Sequence, residues 1–532
     1  MYIRRCKCKS SELQKLYLFK YVSGMVKSDI EKYVTIKYLM VTGIQQRMAA
    51  IILQLYVCKD GKGTVIMSKK HEPIRDARQL GYPKMLLLGL QHMFAMFGAT
   101  ILVPILVNSY FNEFYGKNVN VFSVQVTLFF AGIGTLFFHF CAKGKVPAFL
   151  GSSFAFLGGF ATVAQLNTGI YKGMEASEKI RYACGGIVVA GLLYLILALV
   201  VKLVGVRKVM RFLPPVVTGP IIISIGLTLA ASAVNNCATF WPLALIALAV
   251  VIFFNIWGKG MLKILPILMG VVISYIAALI FNAAGVTNAA GKAILDFSGV
   301  SSASWVGIPP FKFCKFDITA ILVMAPIALA TMMEHIGDIS AISATVGENF
   351  IEEPGLHRTL IGDGLATSFS ALFGGPANTT YGENTGVLEL SKVYDPRVIR
   401  IAAVFAILLS FIPKVADLIS SLPASIIGGI SFILYGMISA IGVRNVVENK
   451  VDLTKSRNLI IAAVILVSAL GFTAGFTFEV AGVSITLTGL AIAAIAGILL
   501  NAILPGNDYE FNSDDMTKAY DGPNEDIKRE EK

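Results

Sequence analysis

The chain has 532 residues, 55% of them apolar and 15% charged, and carries a net charge of +12. Its mean hydropathy is +0.71. That balance excludes a soluble enzyme of this length and makes lipid the solvent that the fold must meet.

Residues 1–66 are basic and mixed in pattern, with no apolar run long enough to cross a bilayer. Residues 40–57 come closest, but Gln45, Gln46 and Arg47 interrupt them. No signal-peptide architecture is visible there. Met67-Ser-Lys-Lys-His-Glu-Pro73 reads as an ordinary start for a cytoplasmic tail covering 67–84, so residues 1–66 are expected to be an extension from a misassigned start. Apolar windows then recur through 85–505, the transmembrane domain, and about twelve read as ordinary spanning helices of roughly twenty residues. Residues 506–532 read as a solvated cytoplasmic tail.

Two stretches at spanning depth lack helical character. Pro147-Ala-Phe-Leu-Gly-Ser-Ser-Phe-Ala-Phe156 and Pro376-Ala-Asn-Thr-Thr-Tyr-Gly-Glu-Asn384 are rich in residues that punctuate helices. Irregular backbone survives in a membrane only where protein or a water-filled cavity satisfies its N–H and C=O groups. These stretches are therefore where a binding site is expected, with a pair of surface loops as the alternative reading.

Alternate loops are basic: Lys143 and Lys145, then Lys202, Arg207, Lys208 and Arg211, then Lys259 and Lys263, then Lys392, Arg397 and Arg400, then Arg444, Lys450, Lys455 and Arg457. By the positive-inside rule these loops and both termini are cytoplasmic. Lys172, Lys179 and Arg181 form an outside loop against that trend. The net charge is thus mostly topology, and no nucleic-acid partner is implied. Leu213-Pro-Pro-Val-Val-Thr-Gly219 resembles Leu422-Pro-Ala-Ser-Ile-Ile-Gly428, as an internal repeat would require. The seven cysteines show no metal spacing, and neither a metal nor a cofactor is expected.

Ionisable residues inside spans are costly and are seldom retained without a use. Here they are Glu334, His335 and Asp338 at the end of an apolar run from 318 to 333, Glu383 in the second broken stretch, and His92 early in the chain. Packing or helix capping is the plain alternative for His92 and Asp338. Glu334 and His335, being adjacent, point to different helix faces, and no nucleophile–base set or metal cluster of suitable spacing accompanies them, which argues against an enzyme.

Gln91-His-Met-Phe-Ala-Met-Phe-Gly-Ala-Thr100, Gly151-Ser-Ser-Phe-Ala-Phe156, Glu334-His335, Pro354-Gly-Leu-His-Arg358 and Asn378-Thr-Thr-Tyr-Gly-Glu-Asn-Thr-Gly386 closely resemble the nucleobase/ascorbate transporter family, in its uracil permease branch. The resemblance implies an all-α polytopic membrane protein of fourteen segments in two inverted seven-segment repeats, with short strands in segments 3 and 10. It further implies a core domain (segments 1–4 and 8–11) and a gate domain (segments 5–7 and 12–14). Glu334 and Glu383 would bind the nucleobase with backbone N–H groups near Ser153, Phe154 and Gly382. Tyr381 would stand beside them and Tyr435 on the gate side. Glu334, His335, Asp338 and His92 would serve proton coupling, and a homodimer is suggested.

The residues themselves agree with that implication. Uracil presents two imide N–H donors and two carbonyl acceptors around a flat ring. Glu334 and Glu383 supply acceptors, the broken stretches supply N–H donors, and Phe154 or Tyr381 supplies a wall. Each buried group left unpaired by an analogue costs roughly 1 to 3 kcal/mol, which gives such a site its selectivity. A carboxylate there can also take up and release the coupling proton. Purine-transporting members commonly have Gln where Glu383 stands, so uracil is the favoured substrate and xanthine or another purine the alternative. Glu389 and Asp338 depart from the family pattern, the latter standing where some uracil permeases have His. An anion transporter of related architecture is the remaining alternative, but neither broken stretch carries the basic residue it would need.

Overall fold

A computed structural model of the chain describes residues 73–506 apart from 117–118, 260 and 481–482, together with Cys58–Lys59 and Val65–Ile66. The chain divides into two units, Met1–Glu72 and Pro73–Lys532. In the first, Cys58–Lys59 pairs antiparallel with Val65–Ile66, and the rest of the expected extension lies outside the described residues, as does the C-terminal tail from 507 on. All that follows concerns the second unit.

The first half of that unit contains α1 (Tyr82–Tyr115), α2 (Val124–Cys141), strand β1 (Leu150–Ser152), α3 (Leu157–Gln165), α4 (Ala176–Val204), α5 (Pro215–Thr228), α6 (Ala230–Ala238), α7 (Trp241–Trp257) and α8 (Pro266–Ala283). The second half contains α9 (Ile318–Met324), α10 (Ala328–Val346), α11 (Leu356–Leu372), strand β2 (Asn378–Thr380), α12 (Gly382–Ser391), α13 (Pro396–Ser410), α14 (Pro413–Ser420), α15 (Ala424–Glu448), α16 (Ser456–Gly471), the hairpin β3 (Phe476–Val480) and β4 (Val483–Leu487), and α17 (Gly489–Ile503). Among the described residues seven helices are long and apolar enough to span a membrane when α5 with α6 and α9 with α10 are each taken as one span, or up to eight if the bent pair α13–α14 is also one. The count is lower than the dozen spans expected because α7 and α11, each of 17 residues, the 16-residue α16 and the 15-residue α17 fall short of that length. The protein is a multi-pass membrane protein.

Proline and glycine decide where these helices begin and how closely they cross. The two similar motifs at 213–219 and 422–428 open α5 and α15, whose first turns follow Pro214 and Pro423. These two helices pack on each other along their glycines. A Cβ at Gly226 would come within 2.2 Å of Tyr435 O, and one at Gly442 within 2.7 Å of Gly219 O. The α4–α11 crossing repeats the device: a Cβ at Gly364 would lie 2.6 Å from Gly191 O. Without a hydrophobic drive between helices in lipid, such close backbone approach is what packs them.

The apolar run at 318–333 is not one continuous helix. Pro326 interrupts it with a 3-10 turn at Ala325–Ile327, and α10 restarts at Ala328 and runs on to Val346. Glu334 therefore sits within the second turn of a new helix, not at a helix end. The supposed outside loop also resolves differently, since Lys179 and Arg181 lie on α4. Lys179 is buried, donates to Ala164 O at 2.9 Å and faces the rings of Phe114 and Tyr115 at 4.8 and 5.1 Å. Arg181 pairs with Glu178 at 2.7 Å. These cations are engaged inside the fold, which explains why they run against the loop-charge pattern.

A strap precedes α1. Ile74 N donates to Lys392 O at 2.8 Å, and Tyr394 N donates to Ile74 O at 2.9 Å. Ala77 N donates to Asp395 Oδ2 at 2.8 Å, while Arg75 pairs with Glu348 and also donates to Val346 O. The strap thereby joins the ends of α10, α12 and α13. Hydrogen bonds from Arg78, with Arg397 also nearby, hold the Asp76 carboxyl well below the usual carboxylate range.

Candidate functional site

The two broken stretches meet at the centre of the fold. β1 and β2 pair antiparallel in the register Leu150 to Thr380, Gly151 to Thr379 and Ser152 to Asn378. Ser153 N donates to Ala377 O at 2.9 Å and Tyr381 N to Phe149 O at 3.0 Å, extending the ladder at both ends. Every one of these residues from Phe149 to Ser153 and from Ala377 to Tyr381 is buried. The surface-loop alternative is thus excluded.

Side chains of the flanking helices satisfy the outer edges of the strand pair. Thr135 Oγ1 on α2 accepts from Leu150 N at 2.9 Å, and Thr367 Oγ1 on α11 donates to Asn378 O at 2.9 Å. Asn378 Nδ2 donates to Phe130 O at 3.1 Å, and His139 Nε2 lies 2.8 Å from Ala148 O. This is the accounting that lipid-depth backbone requires.

Each strand leads into a short helix, α3 after β1 and α12 after β2. The first turn of any helix leaves N–H groups without intrahelical partners and carries partial positive charge. Gly382 and Glu383 begin α12 in this way. Two helix N-termini and a strand pair thus give one locus both donors and a polar wall.

α10, which carries Glu334, packs on α12, which carries Glu383, and on β2. Glu334 lies within electrostatic reach of Glu383, Asp338 and Asp363, and both glutamates are only partly covered. Glu383 and Gly382 line a cavity of about 400 Å³ that also includes Phe94 and Ala95 of α1, Ile267 of α8 and Ile441 and Arg444 of α15. One Glu334 carboxylate oxygen is buried without a hydrogen-bond partner, and so are Ser153 Oγ, Thr379 Oγ1 and the Tyr435 hydroxyl.

The other residues singled out in the sequence are placed as follows. Asp338, one helical turn beyond Glu334, accepts from Thr380 Oγ1 at 2.9 Å and so ties α10 to β2. His92 is fully buried on α1, where Asn384 Nδ2 of α12 donates to His92 O at 3.1 Å and lies 3.2 Å from His92 Nδ1. Tyr381 does not stand free as a wall. Its hydroxyl donates to Ser152 O at 2.9 Å and lies 3.3 Å from Thr100 Oγ1, with its ring over Gly151. Phe154 meets Tyr435 edge-to-face at 5.8 Å, bringing β1 against α15.

His335 points away from Glu334, as their adjacency requires, and its Nδ1 lies 2.9 Å from Asp363 Oδ2 with both side chains fully buried. The two groups lie within ion-pair distance, although the ring N–H is not aimed for a directed hydrogen bond. Asp363 on α11 was not singled out in the sequence. The signal was present in Gly362-Asp363-Gly364, an acid between glycines in a helix that beyond His357 and Arg358 is otherwise apolar and hydroxylated.

A family model described as "Permease family" matches residues 83–478. The chain belongs to this family. It is the nucleobase/ascorbate transporter family that the motifs resemble, and its members are transporters, not enzymes. The uracil permease of Bacillus caldolyticus is 40% identical over 455 residues, covering 83% of this chain and 96% of that protein. The uracil permease of Bacillus subtilis (strain 168) is 40% identical over 435 residues, with 78% and 91% covered. Among solved structures, the transmembrane domain of a cyanobacterium bicarbonate transporter, BicA, aligns with a TM-score of 0.50 at 15% identity, covering 80% of this chain and 99% of that one. The murine anion transporter Slc26a9 in its inward-facing state aligns with a TM-score of 0.53 at 10% identity, covering 94% and 76%. At these identities the structural likeness shows the shared fold alone.

Proposed function

We propose that this permease takes up uracil with protons across the cytoplasmic membrane by alternating access. The reading is supported by the packing of α10, which carries Glu334, on α12, which carries Glu383, and on β2, with Glu383 and Gly382 lining the cavity. Two carboxylates accept the imide N–H groups of the base, and N–H groups at the starts of α3 and α12 donate to its carbonyls. Phe154 and Tyr435 close one side of the ring. Relatives named uracil permeases, similar along nearly their whole length, support uracil over a purine, as does Glu383 itself.

In this reading the chain has fourteen segments in two inverted repeats. β1–α3 and β2–α12 serve as segments 3 and 10, and α9 with α10 as segment 8. α1–α4 and α9–α13 make the core, while α5–α8 and α15–α17 make the gate. Glu334 and Asp338 exchange the coupling proton, and His335 and His92 hold the polar network behind them. Both termini are cytoplasmic, so the cavity bordered by Lys263 and Arg444 opens inward.

Uptake of labelled uracil by membrane vesicles, with and without an imposed inward proton gradient and with xanthine and thymine as competitors, tests this. Gradient-driven uptake resistant to xanthine is expected. Uptake that ignores the gradient would remove the coupling, and xanthine as the better competitor would reassign the substrate.

A further inference from the structure

The cavity that reaches Glu383 is larger than a single six-membered ring requires. At about 400 Å³ it falls in the range of pockets that hold drug-sized ligands. Its lining combines the half-buried Gly382, Glu383 and Phe94 with the exposed Asn255 and two exposed cations, Lys263 and Arg444. Glu383 is the only acid among the described lining residues. Lys263 is exposed and forms no ion pair among the described residues. Arg444 meets Glu448 at 2.6 Å through Nε, one nitrogen of a guanidinium that carries five N–H donors.

A single cavity thus carries both the acid assigned to the base and two cations suited to an anion. We propose that it also binds a pyrimidine nucleoside monophosphate from the cytoplasmic side, as a feedback inhibitor of transport. This rests on the assignment of Glu383 and Gly382 to the base. A uracil ring substituted at N1 keeps its N3–H and both carbonyls but loses one donor, so its base contacts are weaker than those of uracil. A phosphate reaching Lys263 and Arg444 restores binding through charge-assisted hydrogen bonds, and a ribose bridges base and phosphate past Asn255. The bulk of ribose and phosphate keeps the gate from closing over the ligand, so it blocks and is not carried. Such a nucleotide is the product class of any phosphoribosyl transfer to N1 of uracil, the reaction that would consume the imported base.

The test is displacement of labelled uracil from the purified full-length protein in nanodiscs of zwitterionic lipid, using uridine 5′-monophosphate, uridine and orthophosphate as competitors. The monophosphate should compete about tenfold better than uridine, the gain of roughly one charge-assisted contact. A double variant Lys263→Gln and Arg444→Gln should lose that advantage and leave the uracil affinity unchanged. Equal competition by monophosphate and uridine, or an advantage that survives the double variant, overturns the proposal. So does loss of the advantage in nanodiscs of anionic lipid, which would give the two cations to phospholipid headgroups. Protein that binds uracil but ignores the monophosphate defeats this proposal alone, whereas folded protein that binds no uracil defeats the function assignment beneath it as well.

Discussion

Thr380 Oγ1 donates a 2.9 Å hydrogen bond to Asp338 Oδ2, so the strand that leads to Glu383 is fastened to the helix that carries Glu334. In the proposed mechanism a proton arriving on this carboxylate alters a bond between the two elements assigned to the base. Asp338→Asn keeps the shape and the bond to Thr380 but removes the exchangeable charge. It should leave uracil affinity within about threefold, less than 1 kcal/mol, and abolish the acceleration of uptake by an imposed proton gradient. Parallel loss of binding and coupling would make Asp338 a structural residue instead.

Gly151 has no room for a side chain. A Cβ there would lie 2.4 Å from the Tyr381 ring and 2.7 Å from Thr100 Oγ1, all buried among atoms that hold β1 to β2. Gly151→Val should lower the melting temperature of the purified protein and abolish uracil binding. The forced shift costs about 1–3 kcal/mol, as overpacked cores do. A variant with native melting and native affinity would show that the strand pair yields easily.

The buried His335–Asp363 contact makes an unusual prediction about double variants. His335→Ala strands the Asp363 carboxylate between α10 and α11, and breaking a buried pair on one side costs about 3–5 kcal/mol. Adding Asp363→Ala removes the stranded group, so the double variant should melt above the His335→Ala single variant. Thermal denaturation in detergent reads this directly, and strictly additive losses would mean that the two side chains do not interact.

The strap before α1 gives a pH dependence that can be worked out in sign. Hydrogen bonds from Arg78 lower the Asp76 carboxyl below its ordinary 3.8, so its contribution to stability is present above that value. It is lost as pH falls through the lowered value of the folded state. Asp76→Asn should therefore melt slightly below wild type at pH 7, and the gap should narrow on strong acidification. The effect is small because the group is exposed. A gap that widens with acid would contradict the pairing.

Much of the site was legible because lipid leaves a chain few ways to place polar residues. The stretches around Gly151 and Asn378 stood out by their Ser, Thr, Asn and Gly content, and Ser152, Asn378 and Thr380 tie the strand pair to α1, α2 and α10. Glu334 and Glu383 stood out by the cost of their charge at that depth. The sequence did not reveal which buried groups would meet. Asp363 became visible only through its approach to His335, a partnership set by the packing of α10 against α11. Likewise Tyr381 looked like a free aromatic wall, whereas the bond from its hydroxyl to Ser152 O depends on the register of β1 with β2. Helix boundaries near Pro326 were obscured because a proline in an apolar run can kink a helix or end it.

Equilibrium binding of labelled uracil to the purified protein, compared across Glu334→Gln, Glu383→Gln and the double variant, is the most direct measurement. If both carboxylates accept from one bound base, each single variant should weaken affinity by roughly five- to 150-fold, the effect of about 1–3 kcal/mol per unpaired buried group. The double variant should then fall short of the product of the two losses, because groups that share a ligand couple. Folded single variants that bind uracil as wild type does would contradict the shared site.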